Sequence, residues 1–134
     1  MMSRDRLNFF YLLMLAAHVA HVFEEVWGRF WIMDAVFGPG WFLVVNWLLF
    51  CIPVAFFYFA LRERRWAYRM SVLYAGFMVL NGIVHNAALM LTGRYFGGFA
   101  GAYTGIAFIL IGPPLIYYLR KGLAGGLPAG GDSD

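Results

Sequence analysis

The sequence predicts an all-α fold, a four-helix transmembrane bundle with a further segment lying along the outer half of the membrane. Three observations point there. Of the 134 residues, 63% are hydrophobic and only 13% charged, well below the roughly 25% charged residues of a soluble domain. The apolar residues gather in four runs, Asn8 to Trp27, Trp41 to Leu61, Met70 to Thr92 and Phe99 to Leu119. Each is close to the roughly 20 residues that a helix needs to cross a bilayer. None of the runs alternates with period two, which argues against spanning β-structure.

The first run follows Arg4 and Arg6, as a signal peptide would. It ends in HVFEEVW with no small-residue cleavage site, so it is expected to remain as a helix. The next segment, Gly28 to Gly40, holds Phe30, Trp31, Ile32, Met33, Val36 and Phe37. It is too apolar for a free loop and is expected along the outer interface or over the bundle mouth. Trp27, Trp31, Trp41 and Trp66 fall where indole rings sit at headgroup level. In the second run Pro53 frees the carbonyl of Leu49, and Pro113–Pro114 does the same kind of damage in the fourth. Both read as packing kinks that neighbouring helices can accommodate.

The fourth run opens with GGFAGAYTG, in which Gly97, Gly101 and Gly105 recur every four residues. Small residues at this spacing let another backbone approach closely. The partner is expected to be a helix of the same chain, with a homodimer seam as the alternative. Residues 1–121 form one domain, and the Gly- and Pro-rich stretch Gly122 to Asp134 is expected to be a disordered cytoplasmic tail. Cys51 is the single cysteine, so no intramolecular disulfide exists.

Charge position sets orientation. Arg4, Arg6, Arg62, Arg64, Arg65, Arg69, Arg120 and Lys121 fall on one side of this topology, and only Arg29 and Arg94 on the other. Cations near helix ends favour the cytoplasmic side, so both termini and the Arg62–Arg69 loop are expected in the cytoplasm, and the chain in the inner membrane. That basic loop is short and juxtamembrane; it reads as a topology signal, and no nucleic-acid partner is expected.

Against this hydrocarbon background, the stretch HVAHVFEE puts His18, His21, Glu24 and Glu25 within two helical turns. Counted from the outer ends of their runs, His21 lies about six residues deep, Asn46 about five, His85 about seven, and Tyr103 and Thr104 about five. At 1.5 Å per residue these depths agree to within roughly one turn, so every helix offers a polar side chain to one layer. At 100° per residue, His18, His21 and Glu25 share about a 60° arc, with Glu24 about 60° further round. Tyr74, Asn81, His85, Ala88 and Thr92 form one stripe on the third helix, while Asn86 points elsewhere. A carboxylate at mid-membrane costs about 2.5 to 3.5 kcal/mol on insertion scales. Two are tolerable when paired, protonated or bound to metal.

The residue types suit a divalent metal. His21, Glu24 and His85 would make a His2Glu set with one position left for water, a known catalytic zinc arrangement. Iron or manganese would accept the same donors. Glu25 and His18 are then the candidate catalytic groups, with Asn46, Asn81, Tyr103 and Thr104 around them and Asn81 orienting His85. A carboxylate-bridged di-iron site is disfavoured, because only the first helix supplies Glu. A metal-dependent enzyme acting on a hydrophobic or lipid-like substrate is the first functional class that these residues suit. Two other classes fit the same residues: a metal-free, isomerase-like acid–base site, and a proton-linked carrier or small-ligand binder. Structural readings also stand beside them. Glu25 and Arg29 have the favourable i,i+4 order for an ion pair, His18 could be a neutral core histidine, and the whole layer could simply stitch the helices together.

His21-Val22-Phe23-Glu24-Glu25 spells H-x-x-E-E, and the chain resembles the HXXEE-motif family of small bacterial integral membrane proteins, which has no assigned activity. The resemblance extends to Asn81 and His85 in the third helix. It also reaches Tyr95-Phe96-Gly97-Gly98 before the last helix, where Gly stands in place of the family's Pro and Gly101 in place of a Thr. It implies a multi-pass membrane protein and adds no reaction.

Overall fold

The computed structural model describes residues 4–29, 35–36, 38–92 and 100–125. Among them lie four helices and no strand: α1 (Arg4–Trp27), α2 (Gly38–Leu61), α3 (Arg65–Thr92) and α4 (Ala102–Ala124). Each is long and apolar enough to cross a membrane. The fold is the four-helix bundle that the composition predicts. Residues 30–34 and 37 of the expected interfacial segment, the Tyr95–Gly98 element and residues 126–134 of the expected tail lie outside the described residues.

The helices outrun the apolar runs at their charged ends. α1 begins at Arg4 and α3 at Arg65, because long cationic side chains can lie along a helix and reach polar surroundings. α4 continues to Ala124, taking Gly122–Ala124 from the stretch expected as tail. Lys121 in its last turn complements the helix dipole, and Leu123 packs against the core. Pro53, Pro113 and Pro114 all sit inside continuous helices.

α1 runs antiparallel to α4: Phe10 stacks on Tyr118 with ring centres 5.6 Å apart. Arg4 pairs with Glu63 in the turn between α2 and α3, which gathers the basic residues at one end. The most extensive interface joins α3 to α4, and α2 is peripheral. Between lipid-solvated helices there is no hydrophobic drive to associate, so close backbone packing has to supply it. Gly82 and Gly105 do so: a Cβ on Gly82 would lie 3.0 Å from the Gly105 carbonyl carbon. Asn86 braces the same contact by donating to the carbonyls of Gly82 at 2.9 Å and Ala102 at 3.3 Å. Gly101 and Gly105 of that spacing, and Gly112 further along α4, therefore face α3 of their own chain.

Leu7, Tyr11, Met14, Ala75, Met78, Phe108, Leu115 and Leu119 pack into one core cluster. Tyr11 is wholly buried, and its hydroxyl is satisfied by Ser71 Oγ at 2.8 Å and the Pro53 carbonyl at 3.2 Å. Outward, Trp47, Leu48, Leu49, Phe77, Leu80 and Leu110 are exposed. Apolar exposure on this scale suits a chain solvated by lipid. The polar site lies beyond the core, where α1 and α3 end and α4 begins.

Candidate metal centre

His21 and Glu25 are one helical turn apart on α1, so both side chains emerge on the same face. His85 faces them from α3. All three are almost wholly buried, with 3%, 7% and 4% of their surfaces exposed. One ligand atom from each falls within 4.8 Å of the others. Glu25 Oε1 lies 3.4 Å from His21 Nε2 and 3.6 Å from His85 Nε2.

The outer partners decide which nitrogen carries the proton. His85 Nδ1 lies 2.9 Å from the Ala100 carbonyl, which can only accept, so Nδ1–H donates and Nε2 is left as the ligand atom. For His21 the chain is one step longer. The Thr104 hydroxyl donates to Glu24 Oε2 at 2.5 Å. Its oxygen must then accept from His21 Nδ1–H at 2.8 Å. Both Nε2 atoms thereby face one carboxylate oxygen as acceptors, and the Asn81 amide nitrogen also lies 3.0 Å from that of His21. Acceptors facing an acceptor repel, and a metal ion or a proton between them would remove that repulsion. A histidine whose far nitrogen donates to a carbonyl or another oxygen is the usual form of a metal-binding imidazole.

The chain matches no family model, no curated protein and no solved structure. The functional reading therefore rests on this geometry.

Three sequence-derived roles change. Glu24, expected as a ligand, is not part of the group. Its carboxylate accepts from the backbone N–H of Tyr103 at 3.0 Å and of Thr104 at 2.9 Å, besides the Thr104 hydroxyl. The first turn of any helix leaves N–H groups without partners, and Gly101 at the N-cap has no side chain to serve them. Glu24 serves them from α1 and matches the positive end of the α4 dipole. Glu25, expected as a base or as the ion-pair partner of Arg29, lies with His21 and His85 in the group that could hold a metal ion. α1 ends at Trp27 and Arg29 turns away with a φ of 51°, so the helical register that would align the pair is not continued. Asn81, expected to orient His85, reaches His21 instead, with its amide nitrogen 3.0 Å from Nε2.

The remaining expected residues spread around the centre. Thr104 is the hydroxyl that holds His21. Tyr103 contributes its backbone N–H, while its side chain is exposed. His18 bonds to the Tyr74 hydroxyl at 3.1 Å and meets Phe50 edge-on. Asn46 donates to its own helix at the Phe42 carbonyl, 2.9 Å away. His18, Asn46 and Asn81 line a cavity of about 330 Å³ between α1, α2 and α3, into which His21 and Glu25 also open.

One participant is absent from the sequence reading: the Ala100 carbonyl carries no side-chain signal at all. Gly101 is expected there only as a packing glycine of GGFAGAYTG. Its actual setting is a left-handed φ of 83° directly under both imidazoles.

The division of labour between the two carboxylates is testable. Glu24→Gln should lower thermal stability by about 1–3 kcal/mol, as expected for charged hydrogen bonds lost at a helix start. Its metal content should stay unchanged in the same preparation. Loss of metal with unchanged melting would return Glu24 to the ligand set.

Proposed function

We propose that this chain is a multi-pass membrane protein that binds one divalent metal ion through His21, Glu25 and His85. The remaining coordination position serves a hydrophobic or lipid-like substrate. The observation that carries this reading is the convergence of two Nε2 acceptors on one carboxylate oxygen, in a buried site that two helices form. Two histidines and one Glu suit zinc with an open position; iron and manganese remain open alternatives. A divalent ion would offset the cost of burying Glu25 in the membrane and act as a Lewis acid on a bound oxygen. His18, held by Tyr74 on the cavity wall, is the group positioned to exchange a proton with substrate or water. Membership of the HXXEE-motif family belongs to the same proposal, since the His and the last Glu of the motif, His21 and Glu25, lie against His85.

A second reading is favoured by one contact. The Asn81 amide nitrogen sits 3.0 Å from His21 Nε2, so that lone pair is already served without a metal. In this metal-free form Glu25 and a histidine share a proton, and the site does acid–base chemistry. Titration with Zn2+ separates the two. The metal reading expects saturation at one ion per chain, with affinity falling as pH is lowered because the donors must be deprotonated to bind. Absence of saturable binding at neutral pH favours the proton.

The orientation proposed from the basic residues has its own test. On a Cys51→Ser background, a membrane-impermeant thiol reagent outside the cell should label a cysteine at position 34 (Asp34→Cys) and spare one at position 63 (Glu63→Cys). The reverse pattern would put the centre in the inner half of the membrane.

A further inference from the structure

We infer that the cavity beside this centre takes a single-chain carboxylate of the fatty-acid class, its head on the metal and its chain against α2. The inference rests on the metal reading proposed above. The cavity walls differ in chemistry. His18, Tyr74 and Asn81 give it polar groups on α1 and α3, while Ile52 and Phe56 of α2 with Phe77 and Met78 of α3 give it apolar ones. A ligand matching both has a polar end and a hydrocarbon end. At about 330 Å³ the cavity is near the small end of ligand sites, which run from roughly 300 to 1,000 Å³. That favours one chain over two.

Charge selects the head group. A divalent ion held by one carboxylate and two neutral imidazoles leaves a net charge of +1 in a low-dielectric setting, which is unfavourable without a counter-charge. Glu24 is already engaged by the start of α4, so a monoanionic ligand is the natural complement. Hydroxide satisfies the charge and leaves the apolar wall bare; a carboxylate on a chain satisfies both. Access follows from α2. It is the least buried of the four helices, and Asn46, its polar residue at this level, turns its amide to its own helix. Ile52 and Phe77 line the cavity and are also exposed at the surface of the bundle. The chain can therefore enter sideways from the bilayer.

The test uses the full chain in phosphatidylcholine nanodiscs loaded with Co2+, whose visible absorption reports its ligands. Acetate, octanoate and methyl octanoate are added to wild type and to Ile52→Trp, which adds bulk to the α2 wall of the cavity. Octanoate should perturb the cobalt bands at an at least about tenfold lower concentration than acetate, reflecting the buried chain. Methyl octanoate, with no anionic head, should not perturb them. In Ile52→Trp the cobalt bands should start unchanged and the octanoate advantage should disappear. Should that variant fail to take up cobalt, Leu49→Trp replaces it. An octanoate effect no stronger than acetate, an equal effect of the methyl ester, or an advantage that survives the added bulk would overturn the inference while leaving the metal centre standing. Failure of wild type to take up cobalt would overturn the metal reading and this inference with it.

Discussion

Glu25→Gln, His21→Ala and His85→Ala should each weaken divalent-metal binding by more than about 100-fold, since loss of merely an outer partner of a ligand typically costs 10- to 100-fold. The three donors come from two helices and lie within 4.8 Å of one another. Removing any one leaves two, too few to close a site that already has an open position. Glu25→Gln is the most informative of the three. It keeps the shape and removes the charge that lies against both Nε2 atoms. Equilibrium dialysis against Zn2+ reads the loss directly, and Glu24→Gln in the same series supplies the contrast. If Glu25→Gln bound zinc as wild type does, Glu25 could not be a ligand.

The second large effect is expected at Gly101, where two costs add. Its φ of 83° lies in the left-handed region, which costs a residue with a side chain roughly 1–2 kcal/mol. An added Cβ would also sit 2.6 Å from His85 Cε1 and 2.7 Å from His21 Cε1. Overpacking of this kind costs about 1–3 kcal/mol. Gly101→Ala should therefore lower the melting temperature and, by pushing both imidazoles off the inward geometry, abolish metal binding. Gly76→Ala on α3 is the control, because nothing lies within 4 Å of its added Cβ. There the substitution should be neutral, or stabilising by about 0.5–1 kcal/mol. Equal melting of the two variants would mean that the α4 start does not press on the histidines.

The fold was legible because membrane solvation leaves strong marks on sequence: four apolar runs, few charges, and cations collected at one end. The polar layer was legible for a related reason. A buried histidine in hydrocarbon is costly enough that His18, His21 and His85 stood out, and depth alone brought His21 and His85 together with Thr104. The roles within the layer were harder to read. His21 and Glu25 already shared an arc by helical angle, yet the i,i+3 spelling of H-x-x-E drew attention to Glu24. What separates two adjacent carboxylates is their neighbours. Glu24 meets the start of α4, whose N–H groups need an acceptor, and Glu25 meets α3. Asn81 is expected to orient His85, and its amide lies against His21. Which ring it reaches depends on how α3 packs against α1, and spacing along one helix does not record that. The Ala100 carbonyl could not have been found, because backbone acceptors look alike in every sequence.

The central claim is that His21, Glu25 and His85 hold a metal ion, and elemental analysis of the purified wild-type chain tests it most directly. Purification should avoid chelators and metal-affinity resins, with Glu25→Gln prepared in parallel. The account predicts close to one zinc, iron or manganese per wild-type chain and almost none in Glu25→Gln, both proteins retaining their helical content. Metal far below one per chain in wild type, or equal amounts in the two proteins, would contradict it.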